Sequence, residues 1–145
     1  IMANKGHYYR PHLVTSIGDK KIVFEDSLFK RETLIDSVHF EVVHNGMQAV
    51  LEEKGGTALR SRIADVVVCG KTGTSQNPHG DDHSVFIAFA PRQNPKIAIA
   101  VFVENAGGGG GTAAPIATIM IEKYLKKSVE RKALELEMIN KVFYN

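Results

Sequence analysis

The sequence has little cysteine, little net charge and no long apolar run. Its 145 residues contain one cysteine, Cys69, so no disulfide can form within the chain. The formal net charge is +2, whereas a dedicated nucleic-acid-binding protein usually carries a strong basic patch. No apolar run approaches the roughly 20 residues that a membrane-spanning helix requires. The sequence therefore excludes an internal disulfide and argues against nucleic acid as a partner.

The composition is that of a folded protein. Apolar residues make up 43% and charged residues 23% of the chain, a balance typical of globular domains. The length is enough for one domain of ordinary size. Residues 1–4 have the pattern of a helix that is ending, with Asn4, Lys5 and Gly6 as its C-cap. We therefore expect residues 1–145 to be a single, incomplete domain that belongs to a longer chain.

The first half of the sequence predicts a hairpin and a helix. Residues 13–17 and 21–24 are β-prone runs joined by Gly-Asp-Lys, which favours a small hairpin. Between residues 36 and 54 apolar side chains recur with a period close to 3.6, so we expect an amphipathic helix capped by Asp36 or Ser37. Its predicted apolar positions are Ile35, Val38, Val42, Val43, Met47, Val50 and Leu51. Two histidines near this helix, His39 and His44, have no partners at metal-ligand spacing, so we expect surface or packing roles for them.

Three apolar segments predict a sheet. Residues 66–74, 84–90 and 97–103 are β-prone, and short turn sequences join them, so we expect an antiparallel meander. The second and third strands are almost continuously apolar, which predicts cover on both faces. The fold class expected is α/β (α+β), with covering helices on an antiparallel sheet that carries Lys71 on an outer strand.

The C-terminal part predicts further helices. A five-glycine run, Gly107–Gly111, has the composition of a linker, and Thr112 is placed to cap the helix that follows it. This helix would cover the sheet. The tail, residues 128–145, predicts another helix, whose apolar stripe is Leu134, Met138, Ile139 and Val142.

The sequence Lys71-Thr72-Gly73-Thr74 combines groups that can bind an anionic peptide. Side chains alternate along a strand, so Thr72 and Thr74 share a face and can hold a carboxylate. Gly73 has no side chain, so a ligand backbone can approach the strand closely there. An exposed edge at this point can pair with an extended peptide by strand addition. Lys71 adds a positive charge for an anionic group or a nearby nucleophile.

The Lys-Thr-Gly triplet belongs, with Ser-x-x-Lys and Ser-Asp-Asn, to the signature of penicillin-binding proteins and class A β-lactamases. Several other segments make the chain similar to class B penicillin-binding proteins, especially the elongation-type penicillin-binding protein 2 group, over residues 1–127. These segments are Met2–Gly6, Tyr9–Leu13, Gly46–Val50, Gly55–Ala58, Gly70–Thr74, Asp82–Pro91 and Val103–Asn105.

The resemblance implies the C-terminal part of a transpeptidase domain with the penicillin-binding protein and serine β-lactamase-like fold. In that family a serine attacks the D-Ala-D-Ala bond of a peptidoglycan stem peptide, and an amine of a neighbouring stem resolves the acyl-enzyme. By resemblance, Lys71 organises the proton network, and Thr72, Gly73 and Thr74 bind substrate. The Thr74 backbone N–H would be one oxyanion-hole donor. No metal or organic cofactor is implied.

The resemblance also implies partners and a location. Expected partners are the stem peptide, β-lactams, the rest of the transpeptidase domain and the cell-elongation machinery that maintains cell shape. The implied location is the periplasm, in a protein anchored to the inner membrane by a segment outside this sequence.

The chain departs from the family pattern because it has no nucleophile motif in the right order. Ser27 and Lys30 fit Ser-x-x-Lys, but they lie downstream of the segment that follows the second motif. Ser75 and Asn77 fit Ser-x-Asn, but they follow Lys71 directly. We therefore expect the nucleophile to lie outside this sequence and the chain alone to be inactive. A non-catalytic β-lactam sensor or inactive paralogue remains an alternative.

Two other readings compete with this one. The triplet Gly70-Lys71-Thr72 matches the end of a nucleotide-binding phosphate loop, but that motif needs glycine at position 65, which is Asp, and a helix directly afterwards. The polar cluster in residues 79–83, namely His79, Asp81, Asp82 and His83, contains metal-ligand side chains. A solvated turn is the reading we favour for that cluster.

Overall fold

The computed structural model describes residues 1–14, 16–21 and 29–142. The chain divides into two compact units, Ile1–Val42 and Val43–Asn145. Among the described residues, no helix combines the length and the apolar character needed to cross a membrane.

In its described residues, the first unit contains two short strand pairs. Strand β1, His7–Tyr8, pairs antiparallel with β4, Arg31–Glu32, and strand β2, Ser16–Ile17, pairs antiparallel with β3, Lys20–Lys21. The second pair confirms the predicted hairpin, with Gly18 at a φ of 57° in the turn. The first predicted run is too long, since Leu13 and Val14 are not in the strand; Thr15 and residues 22–24 lie outside the described residues.

The backbone of residues 1–6 has the hydrogen bonds that end a helix. The Gly6 N–H donates to the Ile1 carbonyl at 3.1 Å, and the Lys5 N–H donates to the Met2 carbonyl at 3.0 Å. Lys5 and Gly6 have φ angles of 51° and 104°. These bonds and the left-handed Lys5 form a Schellman motif, so the predicted helix C-cap is confirmed.

Helix α1, Ser37–Glu52, begins where the sequence predicts, but its buried face matches the predicted stripe only in its C-terminal half, at Met47 and Leu51. Asp36 caps it, because its carboxylate accepts the Val38 N–H at 3.0 Å. The buried side chains are Phe40, His44, Met47 and Leu51. The predicted stripe is wrong at four exposed positions, Ile35, Val38, Val42 and Val43. The expected packing role of His44 is confirmed by its ring, which lies 4.9 Å from that of Phe89.

The second unit is built on the predicted antiparallel meander. Its strands are β5, Cys69–Ser75, β6, His83–Ala90, and β7, Ile97–Val103, in the order β5-β6-β7. Strand β5 begins later than predicted, because residues 66–68 of the expected range 66–74 lie outside the strand. Because β6 is central, Lys71 lies on an outer strand, as the sequence predicts.

Helix α2, Ala113–Lys126, packs on one face of this sheet. Its Ala117 and Ile121 join Phe86 and Ala88 of β6 in the hydrophobic core. The expectation that β6 and β7 are covered on both faces is wrong for the described residues, in which Ile87 and Phe102 remain 48% and 56% exposed. An apolar run predicts a strand, but whether its second face is covered depends on which other elements pack there.

Helix α3, Lys132–Ile139, lies in the predicted C-terminal tail. A buried ion pair precedes it: the Arg131 guanidinium donates to the Glu122 carboxylate at 3.0 Å and to the Ser61 carbonyl at 3.0 Å. The predicted apolar stripe of this tail is wrong at Ile139 and Val142, which are 71% and 64% exposed, whereas Leu134 and Met138 are partly buried.

Candidate functional site

The Lys-Thr-Gly-Thr sequence occupies the middle of β5, the edge strand. The strand is anchored at Cys69 and Gly70, which are buried, and emerges at Lys71, which is exposed. One side of β5 pairs with β6, and in the described parts of the second unit no strand pairs with its other side. An edge strand presents unpaired backbone groups, so β5 is geometrically suited to add an extended peptide.

The register of β5 places its two threonine side chains together. Thr72 is opposite Phe86 and Thr74 is opposite Ser84. Opposed residues in an antiparallel pair share a face, so both hydroxyls project from the face that α2 covers. The sequence predicts this shared face correctly.

Lys71 lies on the other face of β5. It is opposite Ile87, whose side chain is half-exposed. The Lys71 ammonium donates a hydrogen bond to the Thr72 carbonyl at 2.7 Å. The charge of Lys71 and the hydroxyls of Thr72 and Thr74 therefore flank the same edge from opposite faces.

A further hydroxyl, which the sequence does not predict, lies beside the Thr72 hydroxyl. The Thr57 Oγ1 lies 2.8 Å from the Thr72 Oγ1. Thr57 belongs to the loop after α1, and the next residue anchors that loop through a hydrogen bond from the Ala58 N–H to the Val50 carbonyl at 2.9 Å. No sequence motif connects Thr57 with Thr72, because the contact arises from the tertiary fold.

The glycine run Gly107–Gly111 is packed against the site, so its interpretation as a linker is wrong. Gly109 is buried, and a β-carbon there would lie 2.5 Å from the Gly73 carbonyl oxygen. A β-carbon on Gly110 would overlap the Thr57 carbonyl oxygen. At Gly109 and Gly110 the missing side chain thus permits close backbone approach.

Ser84 joins the glycine run to the sheet and to α2. Its hydroxyl donates to the Gly108 carbonyl at 3.2 Å and accepts the Ala113 N–H at 3.0 Å. The expected capping side chain, Thr112, instead donates to the Ala106 carbonyl at 3.1 Å. The cap of α2 is thus supplied by a cross-strand neighbour of Thr74, which local sequence patterns do not indicate.

An open groove runs beside Lys71, between β5 and the C-terminal end of α1. Its volume is about 340 Å³, and its lining includes Gly46, Glu53, Thr57 and Lys71. Lys54 and Lys71 place positive charges along this groove and Glu53 places a negative one, so the lining has an excess of positive charge that suits an anionic ligand.

The polar residues of the β5–β6 turn form a hydrogen-bonded network. The Asp82 carboxylate accepts the Asn77 N–H at 3.1 Å, and the His83 Nδ1 accepts the Asn105 N–H at 3.1 Å. In the described residues, which include all of residues 79–83, no group of three or more His, Cys, Asp or Glu side chains is placed to hold a metal ion. The solvated-turn reading fits this geometry better than the metal reading.

The same turn accounts for the Ser-x-Asn match at Ser75 and Asn77. The Asn77 side chain donates to the Asn105 side-chain oxygen at 2.8 Å and to the Asp81 carbonyl at 3.3 Å. Its amide is therefore used to hold the turn together. The phosphate-loop reading also fails, because Gly70, Lys71 and Thr72 lie in a strand that is followed by this turn and not by a helix.

The Ser-x-x-Lys match is only partly described, because Ser27 lies outside the described residues. Its other member, Lys30, forms an exposed ion pair with Glu32 at 2.7 Å. The hydrogen bond with Glu32 raises the pKa of Lys30 above its ordinary value. A lysine whose pKa is raised is poorly suited to accept a proton from a serine.

The chain is similar in sequence to known transpeptidases. Residues 1–122 match the penicillin binding protein transpeptidase domain. The chain is 35% identical to the peptidoglycan D,D-transpeptidase MrdA of Haemophilus influenzae, in an alignment that covers 88% of this chain and 22% of that protein. The chain thus spans under a quarter of the length of this relative.

Three solved structures share the fold. Pseudomonas aeruginosa PBP2 in complex with WCK 5153 superposes with a TM-score of 0.72 at 35% identity, over 90% of this chain and 29% of that chain. The ceftriaxone acyl-enzyme of penicillin-binding protein A from Mycobacterium tuberculosis superposes with a TM-score of 0.68 at 32% identity. The match covers 86% of this chain and 30% of that chain. The Helicobacter pylori complex of PBP2 with MreC superposes with a TM-score of 0.59 at 27% identity. The match covers 70% of this chain and 20% of that chain.

Proposed function

The chain belongs to the penicillin-binding protein transpeptidase domain family, and from this premise we propose that it supplies the substrate-binding edge strand of a peptidoglycan D,D-transpeptidase. The observation that carries this proposal is the placement of Lys71, Thr72 and Thr74 along the open edge of β5. An extended stem peptide would add to this edge as a further strand.

The residues of β5 have distinct roles in this proposal. The hydroxyls of Thr72 and Thr74 bind the carboxylate of the substrate or of a β-lactam. Gly73 leaves room for the ligand backbone, and the Thr74 N–H donates to the developing oxyanion. Lys71 lies on the opposite face, where its charge organises the proton network around the nucleophile.

The nucleophile itself comes from residues outside this sequence. The full-length protein would use it to attack the D-Ala-D-Ala bond of one stem peptide, and the amine of another stem would resolve the acyl-enzyme into a cross-link. The chain alone would then be inactive, and it would form no covalent adduct with a penicillin.

The partners proposed follow from the family and from the exposed surface. The M. tuberculosis relative forms an acyl-enzyme with ceftriaxone, and the H. pylori relative forms a complex with MreC; we extend β-lactam binding and membership of the cell-elongation machinery to this protein. The exposed Ile87 and Phe102 support contact with the rest of the transpeptidase domain. The location proposed is the periplasm, with an inner-membrane anchor outside this sequence.

One experiment tests the proposal and separates it from a non-catalytic β-lactam sensor. The full-length protein is incubated with a fluorescent penicillin and, separately, with a pentapeptide stem and an acceptor stem. A transpeptidase is labelled covalently and produces the cross-linked dimer. Labelling without cross-linking would favour the sensor, and the absence of labelling would overturn both functions.

A further inference from the structure

A hydroxyl outside the Lys-Thr-Gly-Thr sequence is directly connected to the proposed carboxylate site. The Thr57 Oγ1 lies 2.8 Å from the Thr72 Oγ1, although the two residues are 15 positions apart in the sequence. This distance is that of an O–H···O hydrogen bond of ordinary length.

Thr57 is held in place from two sides. Toward α1, the adjacent Ala58 N–H donates to the Val50 carbonyl at 2.9 Å. Toward the glycine run, the backbone of Gly110 is so close that a β-carbon there would overlap the Thr57 carbonyl oxygen. The same β-carbon would be 3.9 Å from the Thr72 Cγ2, so Gly110 lies close to both members of the hydroxyl pair.

The chemistry of hydroxyls gives this pair a direction when an anion binds. A threonine hydroxyl has one proton to donate and two lone pairs to accept with, whereas a carboxylate can only accept. A carboxylate beside β5 therefore requires Thr72 to donate its proton outward. The hydrogen bond between the two threonines must then run from Thr57 to Thr72. Such a chain of hydrogen bonds polarises the donor that contacts the charge and strengthens its bond.

We propose that Thr57 is a positioning residue, which donates its proton to the Thr72 Oγ1 and thereby orients the Thr72 hydroxyl toward the substrate carboxylate. The inference rests on the proposed function of Thr72. It adds a residue from the loop after α1 to the recognition of the carboxylate, and it assigns a purpose to the close packing of Gly110.

The experiment compares two acylating agents in the full-length protein. Benzylpenicillin carries the carboxylate, and its methyl ester does not. Thr57→Val removes the hydroxyl while it keeps the shape of the side chain, and Thr57→Ser keeps the hydroxyl. We expect Thr57→Val to lower the second-order acylation rate constant for benzylpenicillin about fivefold, which is the effect of one ordinary hydrogen bond. The rate constant for the ester should stay unchanged, and Thr57→Ser should restore the benzylpenicillin rate.

An equal loss for both agents in Thr57→Val, or no loss for either, would overturn the proposal. If Thr57→Val does not fold, Thr57→Ala serves in the same comparison. Thr72→Val separates this inference from the function on which it rests. If the acylation rate constant falls selectively for benzylpenicillin in Thr72→Val but not in Thr57→Val, only the role of Thr57 is contradicted. If the ratio of the benzylpenicillin rate constant to the ester rate constant is the same in Thr72→Val as in the unmodified protein, the carboxylate site itself is contradicted.

Discussion

Gly109 packs directly on the backbone of Gly73, the glycine of the Lys-Thr-Gly sequence. A β-carbon on Gly109 would stand 2.5 Å from the Gly73 carbonyl oxygen and 2.9 Å from its nitrogen. Ser84 reinforces this contact, because its hydroxyl donates to the neighbouring Gly108 carbonyl. The glycine run thus packs on the face of β5 from which the Thr72 and Thr74 hydroxyls project.

The first prediction concerns this contact. Gly109→Ala forces a methyl group onto the backbone of β5, and overpacking of this kind costs typically about 1–3 kcal/mol. We expect the variant to lower the urea midpoint of the full-length protein and to slow its acylation by a fluorescent penicillin. Gly111→Ala is the matched control, since the nearest contact of its β-carbon would be at 3.7 Å. A Gly109→Ala variant as stable and as reactive as Gly111→Ala would show that the close approach is not required.

A second prediction tests the packing beneath Lys71. A β-carbon on Gly70 would overlap the ring of Phe86, which is fully buried. Gly70→Ala should therefore lower the free energy of unfolding by about 1–3 kcal/mol. The double variant Gly70→Ala with Phe86→Leu should recover part of that loss, because the smaller side chain makes room. Additive losses in urea denaturation would contradict a direct clash between the two side chains.

The sequence predicts those parts of the site whose contacts join residues that are close in the sequence. The meander of β5, β6 and β7 is predicted because short turns fix the pairing of neighbouring strands, and the shared face of Thr72 and Thr74 follows from the strand period. The Thr57–Thr72 pair could not be predicted, since it joins two segments that meet only in the folded chain.

The prediction of a glycine linker and the prediction that β7 is covered on both faces are wrong for the same physical reason. Glycine composition shows that the backbone of Gly107–Gly111 is free of side chains, but not whether that freedom is used for flexibility or for close packing. Similarly, the apolar run of β7 predicts a strand but not whether its outer face, with Phe102, is covered. In both cases the outcome depends on neighbours that are distant in the sequence.

The third prediction concerns the ion pair before α3. Glu122 is 1% exposed, and its partner Arg131 also donates to the Ser61 carbonyl. Arg131→Met leaves a buried carboxylate without a counter-charge, so we expect the free energy of unfolding to fall by about 3–5 kcal/mol. Lys132→Met is the control, because the Lys132–Glu135 pair lies at the surface and contributes about 1 kcal/mol or less. Equal urea midpoints for the two variants would contradict a stabilising role of the buried pair.

The fourth prediction concerns the β5–β6 turn. Because Asp82 and His83 already accept backbone hydrogen bonds from Asn77 and Asn105, Zn²⁺ should not bind there. We expect a flat isotherm when the full-length protein is titrated with Zn²⁺ by calorimetry. A saturable isotherm that the double variant Asp82→Asn with His83→Gln abolishes would restore the metal reading of this turn.

The most direct test of the substrate-binding strand is the rate at which a fluorescent penicillin acylates the full-length protein. The double variant Thr72→Val with Thr74→Val removes both hydroxyls from one face of β5. The control is Ser75→Ala, on the opposite face at the exposed end of the same strand. Since each hydrogen bond to a charged group contributes about 1.5–3 kcal/mol, the loss of two such bonds should slow the double variant by at least about a hundredfold, while the control reacts normally. If the double variant reacted as fast as the control, β5 would not be the carboxylate-binding strand.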